Sequence, residues 1–378
     1  MARTVRRPRA EVKAAPIADR ARLTSAIVST LADKYGEGAA QAFSERDFIQ
    51  GAVSGYVSTG CYAINRAIQR AGVPLGRLTT IVGEEGSGKS TLAAQIMAEV
   101  QRMGGLAVLA DSENAFDPDR APALGVDATQ VIWLRSTNLQ ETINEIIDVI
   151  GLIREEAPDV PVVIIWDSIA QTPPKEELED PFGTPHVALH AKYVSTALRR
   201  LIPLIASTKV ALVFVNQYRE DIMARGFGPK KTMLAARAIR FASTVIIELT
   251  RIGMVGDRTE PEGIEVKAFL RKNKVGKPFR TAIFDLLFGG QPGEPAGVDN
   301  SSSILNFAVG AGIVTKKGTG RFVYEPWSDK SFLKRQFGEV LAAHPEIMDG
   351  LEQAQAPKED APHDEIEDLT GSAEEDDR

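Results

Sequence analysis

The sequence predicts an α/β protein: a mainly parallel central sheet, a short helical element before it, and a small α+β domain after it. Short, near-continuous apolar runs recur through the middle of the chain, as strands covered on both faces require. Longer amphipathic stretches alternate with those runs, which is the pattern of strand–helix–strand units. The chain has 378 residues, room for two or three domains at about 100–200 residues each.

Residues 1–20 read as a basic arm, and Arg3, Arg6, Arg7, Arg9, Lys13, Arg20 and Arg22 against Glu11 and Asp19 give the first 22 residues a charge of +5. Such an end block is an interaction segment or simply a solvated end. Residues 21–36 place Leu23, Ile27 and Leu31 at helical spacing, with Gly36 as a stop, and a linker runs on to about residue 54. Strands follow at Leu78–Val82, Leu106–Ala110, Val131–Leu134, Val162–Trp166, Ala211–Val215, Thr244–Thr250, Ile264–Leu270 and Thr281–Phe288. Helices over Ser90–Gln101 and Leu139–Glu155 separate some of them. The later strands are closely spaced, which predicts an antiparallel extension, so the core domain is placed at 55–290. The Pro/Gly-rich stretch 291–299 marks a boundary, and the small domain is assigned to 291–351. Residues 352–378 carry a charge of −9 with few large apolar side chains, and read as a disordered tail.

Composition removes several classes. One cysteine, Cys61, excludes an internal disulfide framework and predicts a cytoplasmic location. No apolar run reaches the roughly 18 residues that a membrane span needs. The net charge of −7 resides mostly in the tail, leaving a nearly neutral body.

The chemistry-bearing pattern is Gly83-Glu84-Glu85-Gly86-Ser87-Gly88-Lys89-Ser90, followed by Thr91. Its glycines let backbone N–H groups turn toward phosphate oxygens, and the helix that follows points its positive end at the same anion. Lys89 reaches the β- and γ-phosphates and the Ser90 hydroxyl ligates Mg²⁺. A strand precedes the motif and a helix follows it, the context that a phosphate loop requires. Asp167 closes the strand VVIIWD, where a carboxylate either holds the Mg²⁺ shell through water or caps a turn; the phosphate loop favours the metal role. Glu113 follows a neighbouring strand, placed to polarise a water or to lie solvated in a loop. These residues specify a Mg²⁺-dependent nucleotide hydrolase.

The blocks GEEGSGKST, DSENAFDPDRAPALGVD, VVIIWDS, FVNQ and FLRKNKVGKPF resemble the RecA-type recombinases of bacteria and their phages, from about residue 21 to 350. The resemblance implies a RecA-like phosphate-loop ATPase core and DNA-dependent ATP hydrolysis. It also implies a helical filament self-assembled on single-stranded DNA, and strand exchange with homologous double-stranded DNA. Under it, Glu113 is the catalytic glutamate, Asp117 and Arg120 lie by the adenine, and Gln217 senses the γ-phosphate, a position otherwise read as a polar strand end. Lys272 and Lys274, by themselves an exposed basic turn, match lysines that reach the neighbouring subunit's ATP. The 21–36 helix matches the element that packs on the adjacent subunit.

Two segments resemble the DNA-binding loops: about Asp180–His190, containing His186, and about Tyr218–Arg237. The second lacks a secondary-structure pattern and carries +3 through Arg219, Arg225, Lys230, Lys231 and Arg237 against Glu220 and Asp221. Phe227 lies between two glycines, able to stack on bases. The i, i+4 pair His186/His190 lacks a third ligand, so a metal site there is not expected.

This chain departs from the family at Arg120, where a tyrosine is usual, and at Glu84, in place of a proline. It also departs at Thr232-Met233-Leu234-Ala235, where a Gly-Gly pair is usual. Two other readings share the core: a ring-forming helicase, and an accessory ATPase that binds DNA or recombinase without exchanging strands. Removing residues 352–378 is expected to strengthen duplex DNA binding and lower its Mg²⁺ requirement, measured by titrating labelled duplex at several Mg²⁺ concentrations. Unchanged values would leave the tail a solubility segment.

Overall fold

The computed structural model describes residues 17–36, 40, 53–113, 116–179, 187–220, 231–233, 235–257, 259–289, 294, 296–318, 320–327 and 330–354, with backbone alone at 17–19, 187–188, 219–220, 231–233, 335 and 353. The chain divides into two units, residues 1–52 and 53–378. In the first, helix α1 (Ile17–Tyr35) presents Leu23 and Ile27 as exposed apolar side chains.

The second unit begins with strand β1 (Tyr56–Val57), helix α2 (Tyr62–Ile68), β2 (Val73–Pro74) and β3 (Leu78–Gly83). Then come α3 (Lys89–Arg102), β4 (Leu106–Asp111), β5 (Val131–Leu134), α4 (Leu139–Glu156), β6 (Val162–Asp167), α5 (Lys175–Glu179), α6 (Val187–Thr208) and β7 (Val210–Glu220). The core closes with β8 (Lys231–Met233), α7 (Ala236–Ala242), β9 (Val245–Gly256), β10 (Pro261–Asn273), β11 (Thr281–Leu287) and β12 (Gly297–Asp299). The last part holds α8 (Asn300–Gly310), β13 (Thr315–Lys317), β14 (Arg321–Val323), β15 (Ser331–Leu333), α9 (Phe337–Ala343) and α10 (Glu346–Gln353).

The main sheet runs β12-β11-β10-β9-β3-β7-β6-β4-β5. From β9 through β5 every pairing is parallel, and from β9 to β12 every pairing is antiparallel. The expected fold class, including the antiparallel extension, is borne out. Alternation along each central strand feeds two cores. Ile81, Val163, Ile165, Val213 and Val215 join α2 and α3 on one face, while Ile164, Trp166, Leu212 and Phe214 join α4 and α6 on the other. Both faces are covered, so the strand sequences read as apolar runs.

A third core, around Phe332, Phe337, Leu305 and Ile347, holds the last part together. It is joined to the ATPase-like core by Tyr62 against Phe307 (5.6 Å, edge-on), by the Asn300 side chain bonded to Tyr62 N and Gly60 O (2.8 and 2.7 Å), and by Lys334 paired to Asp285 (2.6 Å).

Two segments differ from expectation. Val187–His190, assigned to the first loop, form the opening turn of α6, and His190 is buried with Nε2 3.1 Å from the Ile169 carbonyl. The stretch Tyr218–Arg237, expected to be pattern-free, has ordered arms: β7 extends to Glu220, β8 returns with Tyr218 opposite Met233, and α7 starts at Ala236. The hairpin does not show in the pattern because charged residues such as Arg219, Glu220 and Lys231 interrupt it, and the first turn of α6 because it lies within the segment that resembles a loop. Residues 180–186 and 221–230, and the proposed arm and tail apart from a few boundary positions, lie outside the described residues.

Phe214 is fully buried and meets Trp166 edge-on at 5.5 Å. Phe214→Ala is expected to destabilise the protein by about 3–5 kcal/mol, read from the shift of a urea unfolding midpoint.

Candidate functional site

The site forms where β3 ends. Gly83 closes that strand, and a Cβ there would lie 2.5 Å from the Leu249 carbonyl and 2.6 Å from Ser87 Oγ, so only glycine fits. Gly86 (φ +67°) and Gly88 (φ +88°) take left-handed backbone that turns the loop over the start of α3. Ser87 Oγ donates to the Glu84 carbonyl at 2.7 Å, and Lys89 Nζ donates to the same oxygen at 2.7 Å. Lys89 is buried, which pushes its amine below the usual range, while Asp167, Glu113 and Glu85 push it back up. A buried lysine facing carboxylates is a cation held ready for an anionic ligand. Glu84, Glu85, Gly86 and Ser90 are exposed at the loop's outer edge, with Thr91 half-buried behind them.

Parallel pairing gathers the remaining groups. Asp111 stands opposite Asp167 across β4 and β6, and Gly83 stands opposite Gln217 across β3 and β7. Asp167 accepts a hydrogen bond from the Ser90 side chain. Burial raises its carboxyl to about 6, helped by Glu113 and Asp111 and opposed by Ser90 and Lys89. Ser112 ties the Glu113 segment to the turn after β6: its amide donates to the Asp167 carbonyl (3.0 Å) and its hydroxyl to the Ser168 carbonyl (3.0 Å). Glu113 Oε1 is buried, and among the described residues it has no hydrogen-bond partner. The donor set of Ser90 hydroxyl and Asp167 carboxylate is hard oxygen, and together with that orphaned carboxylate oxygen it fits Mg²⁺.

A cavity of about 300 Å³ continues from this point between α3 and the segment after β4, lined among others by Thr91, Met97, Asp117, Arg120, Leu124 and Asp167. Asp117 Oδ1 accepts the amides of Asp119 and Arg120 (2.9 and 3.3 Å), and the Arg120 guanidinium donates to the Phe288 carbonyl at 3.1 Å. The cavity therefore has apolar walls with a charged rim, suited to a base and sugar.

Thus Lys89, Ser90, Glu113, Asp167 and Gln217 lie around the end of β3, while Asp117 and Arg120 line the adjoining cavity. Lys272 and Lys274 are elsewhere, at the end of β10. Lys272 Nζ donates to the carbonyls of Arg240 and of Phe241 (3.2 Å for the latter) at the C-terminus of α7, and its amine is lowered by partial burial and by Lys274. Lys274 is exposed. Arg237 is exposed on α7; Arg219 and Lys231 are placed by backbone alone, in β7 and β8. His186, Arg225, Phe227 and Lys230 fall outside the described residues. Sequence reasoning missed Asp111, whose neighbourhood depends on strand register, and Phe288, which meets Arg120 through its backbone and so carries no side-chain signal.

Asp167 makes a pH-dependent contribution to stability. Its folded-state pKa lies above the usual value of 3.8, so its ionised form is penalised in the fold. Both states are protonated at low pH; between about 4 and 6 the folded state alone keeps the proton, and above 6 the penalty is complete. Ligand-free Asp167→Asn is therefore expected to be more stable than the native chain at pH 8 by about 2 kcal/mol, after discounting for partial exposure. That advantage fades as pH falls toward 4, as urea unfolding across the range will show.

A family model for the RecA N-terminal domain matches residues 22–291. Protein RecA of Aquifex aeolicus is 34% identical over 339 residues, covering 89% of this chain and 92% of that protein. Protein RecA of Rubrobacter xylanophilus is 33% identical over 358 residues, covering 94% and 98%. Protein RecA of Chlamydia trachomatis serovar L2 is 34% identical over 304 residues, covering 80% and 82%. The phosphate cradle at the end of β3, the sheet order that surrounds it and these near full-length likenesses agree: the chain belongs to the RecA family.

Proposed function

We propose that this RecA-family chain is a DNA recombination and repair protein that hydrolyses ATP when bound to single-stranded DNA. It assembles there as a helical filament and pairs the strand with a homologous duplex. It acts in the cytoplasm; among the described residues no helix is long and apolar enough to cross a membrane. One observation carries the reading. Strand β7 places Gln217 beside Gly83 of the phosphate loop and continues without a break into the arm of the second DNA loop.

In this reading the loop backbone and Lys89 hold the phosphates of ATP, and the Asp117–Arg120 cavity holds the base and sugar. Ser90 and, through water, Asp167 would hold Mg²⁺, which would supply charge neutralisation for the bound phosphates. Glu113 takes the proton of the attacking water, a role suited to a carboxylate oxygen kept from other partners. Gln217 reports the γ-phosphate to β7. The loop bearing Arg219, Arg225, Phe227, Lys230, Lys231 and Arg237 binds DNA, together with the segment of His186. Lys272 and Lys274 complete the neighbouring subunit's site, so hydrolysis depends on assembly.

The test joins a strand-invasion assay to turnover. With ATP, the native chain is expected to form D-loops with a homologous but not a heterologous duplex. Glu113→Gln is expected to lose about 10²–10⁴-fold in DNA-stimulated turnover while still binding ATP and single strands. Full turnover in that variant would remove the base assignment. Normal turnover without D-loops would point to an accessory ATPase, and closed rings that unwind duplex would point to a helicase.

A further inference from the structure

The arms of the second loop meet a polar cluster that the proposed mechanism does not use. Tyr218, the residue after Gln217, is half-buried rather than displayed, packed with Ala236 against Val82 and Ile246 beside the phosphate-loop strand. Its hydroxyl donates to the Glu248 carboxylate and accepts from the Arg271 guanidinium. Those two residues form a forked ion pair across β9 and β10: Arg271 Nη2 donates to Glu248 Oε1 at 3.0 Å and Nε to Oε2. The Glu248 side chain is 15% exposed and that of Arg271 40%, so the carboxylate is sheltered while the guanidinium stays partly open to solvent, and the forked geometry is what sets the pair apart. Burial, then Glu248, raises the Tyr218 hydroxyl to about 12, and it remains a donor through the neutral range.

Strand register gives the cluster its consequence. Leu270 pairs with Ile247 and Lys272 pairs with Ile246, so Arg271 is the extra residue of a β-bulge. A bulge re-aims the side chains beside it. The next side chain, Lys272, reaches the Arg240 and Phe241 carbonyls at the end of α7. Both exits of the second loop therefore grip one bulge: the β7 arm through Tyr218 and Arg271, the α7 end through Lys272.

We propose that the Tyr218–Glu248–Arg271 cluster is a latch that sets the position of Lys272 and Lys274 according to the state of the second DNA loop. Tyr218 and Arg271 are positioning residues for DNA-stimulated hydrolysis, an inference that rests on the function proposed above. DNA bound by the second loop shifts the β7 arm, the hydroxyl moves with it, and the bulge re-aims the lysines. This connection runs through strand β10 and is separate from the route of Gln217 to the γ-phosphate.

The experiment uses the full chain, with ATPase kcat and KM measured without DNA and with saturating poly(dT), poly(dT) affinity by fluorescence anisotropy, and thermal unfolding. Tyr218→Phe keeps the ring and removes the hydroxyl; Arg271→Lys keeps the charge and removes the fork. Each is expected to lower poly(dT)-stimulated kcat about 10-fold, with the KM for ATP and the poly(dT) affinity within about 2-fold of native. The double variant is expected to be no worse than the poorer single variant, since both break one connection. Full stimulation in Tyr218→Phe, additive losses in the double variant, or a loss of poly(dT) affinity matching the loss of kcat would each overturn the latch. A native chain whose ATPase ignores poly(dT) would instead overturn the function on which the latch depends.

Discussion

The structure depends on the parallel pairing of β3 with β7 on one side and β9 on the other. All six residues of β3 are buried; all six pair with β7, and Thr79–Gly83 pair with β9. A strand without a free edge or face cannot shift by one residue without turning its whole apolar set to the wrong core. That constraint fixes where Gly83 stands, and with it the start of α3, the depth of Lys89 and the neighbours Gln217 and Leu249. The loop is thus held by a strand buried along its whole length, while its outer residues remain exposed.

The electrostatics follow from the same enclosure. Lys89 is drawn out of water and compensated by Asp167, Glu113 and Glu85, and Asp167 is drawn out of water and compensated by Ser90 and Lys89. Each buried charge is offset in part by the other's presence. Glu113 Oε1 is buried beside the turn that Ser112 ties to β6, without a hydrogen-bond partner among the described residues.

How much of this was legible in the sequence depended on how local the cause was. The central parallel strands were readable because burial on both faces leaves an apolar run, the later ones because β-rich segments follow one another closely, and α3 and α4 because their apolar faces recur at helical spacing. Helix α6 escaped: Pro203 interrupts its pattern, and its first turn lies in the segment resembling a loop. The hairpin arms of the second loop escaped because Tyr218 packs into a cluster supplied by β3 and β9, which no reading of residues 218–237 contains. Candidate residues along the phosphate loop came from a contiguous motif. Lys272 came only from family likeness, and its contact with the end of α7 had no sequence signal at all.

By itself the sequence determined the fold class, the phosphate loop and the residue types that can serve it, since glycines, a lysine and a serine in fixed order dictate local backbone shape and local chemistry. Only the tertiary structure decided which distant groups share that place. Asp111 faces Asp167, Gln217 flanks Gly83, and Arg271 bulges out of β10 to meet Tyr218, because strand register, not sequence distance, decides those meetings. Register is set by the burial of whole strands on both faces, a property of the assembled sheet that no single segment carries.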